Sequence, residues 1–206
     1  MVRWFQIALM CLCSLVSALP VSAQTGSATD QVKVVLDKAM EIQTRGDLQG
    51  EAHRAERAKL VRKLISDNFL SSEMAREAIK GHWDKLSAAQ RSEFQGLFIA
   101  LFQDSYTRMV LNFLQRETIE YRGESSEGKR KMVRTVIMRA NEHIPVDYML
   151  DFKSNKWGIR DVVIDGVSIV ENYNTTFSRA IQANGIGDLL SKMRVQKNAV
   201  VGDTKP

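Results

Sequence analysis

Cysteine is nearly absent from this chain of 206 residues, and the two present, Cys11 and Cys13, both lie in the first 23 positions. Without that stretch no thiol remains, which excludes disulfides, thiolate nucleophiles and cysteine metal sites together. Long apolar runs are equally scarce. Only the extreme N-terminus could address a membrane: Arg3 precedes the run Trp4 to Leu19, then Pro20 and the small-residue exit Val21-Ser22-Ala23. A basic start, an apolar run shorter than a bilayer span and a small-residue exit are the parts of a secretory signal peptide, cleaved after Ala23. Met10 and Leu12 precede the cysteines, so lipoprotein processing is not expected. A short anchor that stays attached is the alternative.

Strong charge of one sign is also missing. Removing residues 1–23 takes away Arg3 and no acidic residue, leaving 28 Lys+Arg against 24 Asp+Glu and a net charge of +4. Charges of both signs alternate from Glu51 to Lys63. No basic stripe with interleaved aromatics appears, so no nucleic-acid partner is expected. Catalytic signatures are lacking too. His53, His82 and His143 stand in separate elements without ligand-spaced neighbours, and no HExxH, GxSxG, P-loop or dinucleotide fingerprint occurs. Asp147 and Asp151 share one face of a strand, where solvation explains them better than a paired-carboxylate site. No cofactor, metal or enzymatic activity is therefore expected.

What is present divides by periodicity. Helical spacing holds from Thr29 to about Arg116, with stripes at Val32, Val35, Leu36 and Ala39, then Ala58, Val61, Leu64 and Ile65. A short helix from Ser71 carries Ala75, Ala78 and Ile79 and ends near Gly81, with Trp83 in a connector. Ser87 and Gln90 form a capping box that opens a long helix from Ala88 to Arg116. Its apolar positions include Phe94, Phe98, Phe102, Tyr106, Met109, Val110 and Phe113.

The period then switches to two. Strands are predicted over 118–122, 131–139, 143–152 and 157–164, with turns at Gly123 to Gly128, Asn141 and Ser154-Asn155. In the third, Ile144, Val146, Tyr148, Leu150 and Phe152 share a face. After Asp165-Gly166 a capping box, Ser168 with Glu171, opens a helix carrying Ile169, Tyr173, Phe177 and Ile181, closed by Gly185. A last amphipathic turn or two runs from Asp188 to Val195. The expectation is an α+β domain over 24–195, helices on one face of a curved four-stranded antiparallel sheet, with a flexible tail over 196–206.

Several segments resemble one family. Trp83-(x3)-Ser87-(x2)-Gln90-Arg91-(x2)-Phe94-(x3)-Phe98, Tyr106, Trp157-(x3)-Asp161-(x4)-Gly166-Val167-Ser168, Asn172-Tyr173-(x3)-Phe177 and Gly185-(x3)-Leu189 closely resemble the MlaC family, also called toluene-tolerance or auxiliary ABC-transport proteins. The likeness spans most of the chain in order. It departs at Lys80, where the family tends to have glycine, and at Asn174, where a basic residue often follows the tyrosine.

The resemblance implies an NTF2-like cone and a monomeric periplasmic carrier, shuttling phospholipid between an outer-membrane lipoprotein and porin complex and an inner-membrane ABC transporter. It would maintain outer-membrane lipid asymmetry. Hopanoid-linked relatives make a polycyclic lipid an alternative cargo. The lipid site is expected at Phe98, Phe102, Tyr106, Met109, Val110, Val146, Tyr148, Leu150, Val167 and Phe177. Family motifs support Tyr106, Val167 and Phe177; periodicity supports the others, and ordinary core packing explains any one of them equally well. Trp157 reads as a plug at a sheet edge or helix interface, and Asp161 as an acceptor for a nearby turn or cap. Two other classes remain open: a cone-type enzyme using His143 or Asp161, and a groove binding a partner helix.

Overall fold

Ser27 and Asp30 exchange side-chain and backbone hydrogen bonds in a capping box, and the chain enters its first helix there. The computed structural model describes residues 26–114 and 117–202, so the predicted signal segment lies outside the described residues. The helices are α1 (Ala28–Thr44), α2 (Arg54–Asn68), α3 (Ser71–Glu77), α4 (Lys80–Trp83), α5 (Ala88–Phe113) and α6 (Ile169–Gly202). Two short 3-10 turns link α1 to α2. The stripe read in the sequence is the buried face of α1: Val32, Val35, Leu36 and Ala39.

The box at Ser87 and Gln90 forms as predicted and opens α5. At about 1.5 Å per residue, its 26 residues span roughly 39 Å, so it is the long strut of the helical layer. Four-residue spacing stacks its rings. Phe94, Phe98, Phe102 and Tyr106 follow one another at centroid distances of 6.1, 5.9 and 5.5 Å.

The sheet has five strands in the order of the chain, rather than four: β1 (Thr118–Glu127), β2 (Arg130–Met138), β3 (His143–Lys153), β4 (Lys156–Ile164) and β5 (Val167–Ser168), every neighbouring pair antiparallel. The extra strand arises because Asp165 and Gly166 both take positive φ, 49° and 78°, and so make a tight hairpin instead of passing straight into a helix. Gly123 also departs from expectation. Its φ of 117° lies inside β1, at a register shift between Tyr121 and Gly123, so glycine here makes a bulge and the turn waits until Gly128. A second shift, at Met149/Leu150, lies between β3 and β4.

The helix end at Gly185 is likewise a kink. Its φ of 79° and ψ of 169° break the helical path, but helix resumes and reaches Gly202, past the boundary predicted at Val195. Leu189, Leu190 and Met193, after the kink, are buried in the core. Among the described residues, no helix is long and apolar enough to cross a membrane.

Candidate functional site

The end of α5 beyond the ring stack borders a hollow. α1 contributes Val35, Leu36 and Ala39, α2 contributes Val61, Leu64 and Ile65, and α5 contributes Tyr106, Met109, Val110 and Phe113. From the sheet come Ile137, Ile144, Val146, Tyr148 and Ile164. Each set repeats at helical or two-residue spacing, so one amphipathic face of every element points to the same space. The cavity is about 190 Å³, below the roughly 300–1,000 Å³ of ordinary ligand pockets.

Its lining is apolar apart from two tyrosines and Arg139. Arg139 stands at the rim: its guanidinium lies 5.9 Å from the Phe113 ring and 3.4 Å from Glu117, and it donates to the Phe113 carbonyl. Phe113 is 58% exposed, a large apolar side chain left in water at the opening. Beyond Arg139 the surface turns polar, with Gln43, Gln49, Arg57 and Glu117 around a recess.

Burial shapes the two lining tyrosines electrostatically. Tyr106 and Tyr148 have their phenols pushed well above the ordinary range, first because apolar surroundings desolvate the phenolate. A lesser contribution to Tyr106 is the charge of Asp161, and to Tyr148 the nearby Tyr106. Both are neutral at physiological pH and so suit an apolar wall.

Of the ten residues expected at the lipid site, Tyr106, Met109, Val110, Val146 and Tyr148 border this cavity. Phe98, Leu150 and Phe177 do not. Phe98 and Leu150 are fully buried in the core, and Phe177 packs edge-on against Phe94 and Phe98 at 5.6 and 6.4 Å. Phe98 lies about two helical turns before Tyr106 on α5, Leu150 follows Tyr148 on the same face of β3, and Phe177 belongs to α6, which lends this cavity no side chain among the described residues. Phe102 and Val167 border a different space, a groove of about 360 Å³ shared with Ser105, Ile169, Asn172 and Tyr173. Val167 is 60% exposed at its edge.

Sequence reasoning missed the whole contribution of α1 and α2, and with it Ile137, Ile144 and Ile164. Their apolar periodicity was visible, but which stripe meets which is a tertiary fact.

The two candidates for acid–base chemistry lie elsewhere. His143 is exposed at the start of β3. Asp161 is buried and accepts from the backbone N–H groups of Val162 at 2.8 Å and Val170 at 3.1 Å, and from the Ser168 hydroxyl. That is the predicted cap, closing the first turn of α6. Trp157 is buried against Phe152, at 5.1 Å. Asp151 is taken by Arg160 at 2.8 Å and Arg130 at 3.4 Å, so it forms no carboxylate pair with Asp147. Among the described residues, no three His, Cys, Asp or Glu side chains are grouped to hold a metal.

Comparison with known proteins gives concordant likenesses. A family model described as MlaC protein matches residues 33–195. The toluene tolerance protein ttg2D of Pseudomonas putida is 27% identical over 93 residues, 41% of this chain and 43% of that protein. An intermembrane phospholipid transport system binding protein MlaC from Haemophilus influenzae is 28% identical over 134 residues, 61% of this chain and 62% of that one. The matched regions therefore span less than two thirds of either relative. In fold, the chain resembles a phospholipid-binding protein from Ralstonia solanacearum solved in complex with a phospholipid, with a TM-score of 0.72 at 21% identity, covering 85% of this chain and 99% of that one.

Proposed function

The chain belongs to the MlaC family, and from that premise we propose that it is a periplasmic, non-enzymatic carrier of phospholipid. It takes hydrocarbon into the cavity between helices and sheet and passes it between an outer-membrane complex and an inner-membrane ABC transporter. Residues 1–23 direct its export, and it acts as a monomer. The observation that carries this reading is the cavity itself: a hollow bordered by apolar side chains from three helices and three strands, with its one charged residue at the rim. The relatives' names, phospholipid-binding protein and intermembrane phospholipid transport system binding protein, support the same cargo and a place in a transport system.

Energetics make such a carrier necessary. A lipid with about 30 methylenes loses about 0.8 kcal/mol for each one moved from hydrocarbon into water, about 24 kcal/mol in total, so it does not cross water unaided. The cavity must therefore offer hydrocarbon surroundings comparable to a bilayer, yet not much better, because release depends on the difference between bound and membrane states.

Native mass spectrometry and lipid extraction of protein purified from an exporting host test this. A stoichiometric diacyl lipid is expected; a stoichiometric hopanoid would reassign the cargo. Protein that is empty and stays empty when mixed with phospholipid vesicles would overturn the carrier reading.

A further inference from the structure

Three side chains border two spaces at once. Tyr106, Met109 and Ile164 line the cavity on one side and the groove beneath β5 and α6 on the other. They form a wall one side chain thick between a hollow of about 190 Å³ and a groove of about 360 Å³. Part of that wall can yield, since methionine has three rotatable bonds and adapts its shape to a neighbouring chain. The groove's outer boundary is Val167, an apolar side chain that is 60% exposed. Its far side is firm: Asp161 ties the β4–β5 hairpin to the first turn of α6 through Ser168 and Val170. Within the groove, Tyr173 and Ser105 stand among the apolar side chains of Phe102, Met109, Ile164 and Ile169, which offer surface for hydrocarbon.

The hollow by itself is smaller than ordinary ligand pockets, while a diacyl lipid brings two tails. The polar recess beyond Arg139 is no place for the second, because hydrocarbon there would strip water from Arg57, Gln43 and Glu117. Resting on the carrier reading above, we propose that a two-tailed lipid sits astride the wall, one acyl chain in the cavity and the other in the groove. Tyr106 and Met109 lie between the chains, and Val167 is the outer lip of the second compartment. A one-tailed lipid needs the cavity alone, so closing the groove penalises two-tailed lipids and spares one-tailed ones.

Phosphatidylcholine vesicles doped with dioleoyl phosphatidylglycerol or with one-tailed lysophosphatidylglycerol are the probes, and native mass spectrometry of the full mature chain reads the bound lipid. The wild-type protein is expected to take both. Val167→Glu and Asn172→Trp are each expected to lower the ratio of two-tailed to one-tailed uptake about tenfold, equivalent to about 1.4 kcal/mol. Both positions are exposed, so thermal melts of the variants should stay near wild type. A ratio unchanged in both variants overturns the two-compartment site and leaves the carrier reading standing. Failure of the wild-type chain to take either lipid overturns both.

Discussion

Asp161 on β4 caps Val170 on α6: the carboxylate accepts the Val170 backbone N–H at 3.1 Å while its other oxygen holds Ser168. One side chain thus fixes the angle at which the last helix leaves the sheet, and with it the floor of the groove under Val167. The Ser168 hydroxyl accepts in turn from the Glu171 N–H at 3.0 Å, whereas the Glu171 carboxylate turns outward to Lys80 at 3.2 Å.

Asp161→Ala should therefore cost about 3 kcal/mol, since hydrogen bonds to a charged group contribute roughly 1.5–3 kcal/mol and buried donors are left unmatched. For a domain of this size that is a fall in Tm of about 6–12 °C in a circular-dichroism melt. Asp161→Asn keeps an acceptor oxygen and should lose less than half as much.

Gly158 touches Leu70 where any side chain would collide. A Cβ built on it would lie 2.7 Å from both Cγ and Cδ2 of Leu70, so Gly158→Ala should destabilise by about 1–3 kcal/mol through overpacking. Adding Leu70→Ala should recover part of that loss, a coupling readable in a double-mutant cycle by urea unfolding. Independent, additive losses would mean that the contact is not the cause.

Ala39 distinguishes a hollow from a packed core. It is 4% exposed and borders the cavity. Ala39→Phe in an ordinary core should cost about 1–3 kcal/mol. Here the ring enters empty space, so Tm should hold or rise while lipid uptake from vesicles falls about tenfold. A destabilised variant with unchanged uptake would place the lipid elsewhere.

Stability should fall on the alkaline side. Unfolded tyrosines ionise near about pH 10, whereas burial raises Tyr106 and Tyr148 well above that and Tyr121 to about 12. Because the folded pKa values are raised, stability is intact below about pH 10 and declines as pH climbs, the unfolded state shedding protons first. Melts between neutral and strongly alkaline pH, followed with phenolate absorbance, should show this slope. Tyr148→Phe should flatten it.

Phe113 tests how lipid enters. It is 58% exposed beside Arg139, so Phe113→Ser should change stability within about 0.5 kcal/mol, as surface substitutions usually do. Stopped-flow uptake from vesicles should nevertheless slow, because an apolar side chain at the opening is lost from contact with the bilayer interface. An unchanged rate would move the entry point away from this rim.

The sequence by itself determined the local elements of this protein. The capping box at Ser87 and the α1 stripe at Val32, Val35, Leu36 and Ala39 are properties of neighbouring residues, and they formed as read; of the box expected at Ser168 only the hydroxyl half forms, because the Glu171 carboxylate turns to Lys80. The acceptor role of Asp161 was local as well, because a lone carboxylate in an apolar strand must find donors close by. Residues such as Tyr106, Met109 and Val146 were legible as apolar faces.

Only the tertiary structure decided which faces enclose empty space. Phe98 and Phe177 have the same periodicity as Tyr106, yet they meet across α5 and α6 and fill their volume, while the facing side chains of α1, α2, α5 and the sheet leave a cavity between them. Periodicity records that a side chain leaves water; it carries no record of what lies opposite. Gly123 and Asp165 make the same point for the backbone, since whether a positive φ becomes a bulge, a turn or a fifth strand depends on the neighbouring strand. A void is an absence of partners, and partners come from distant parts of the chain.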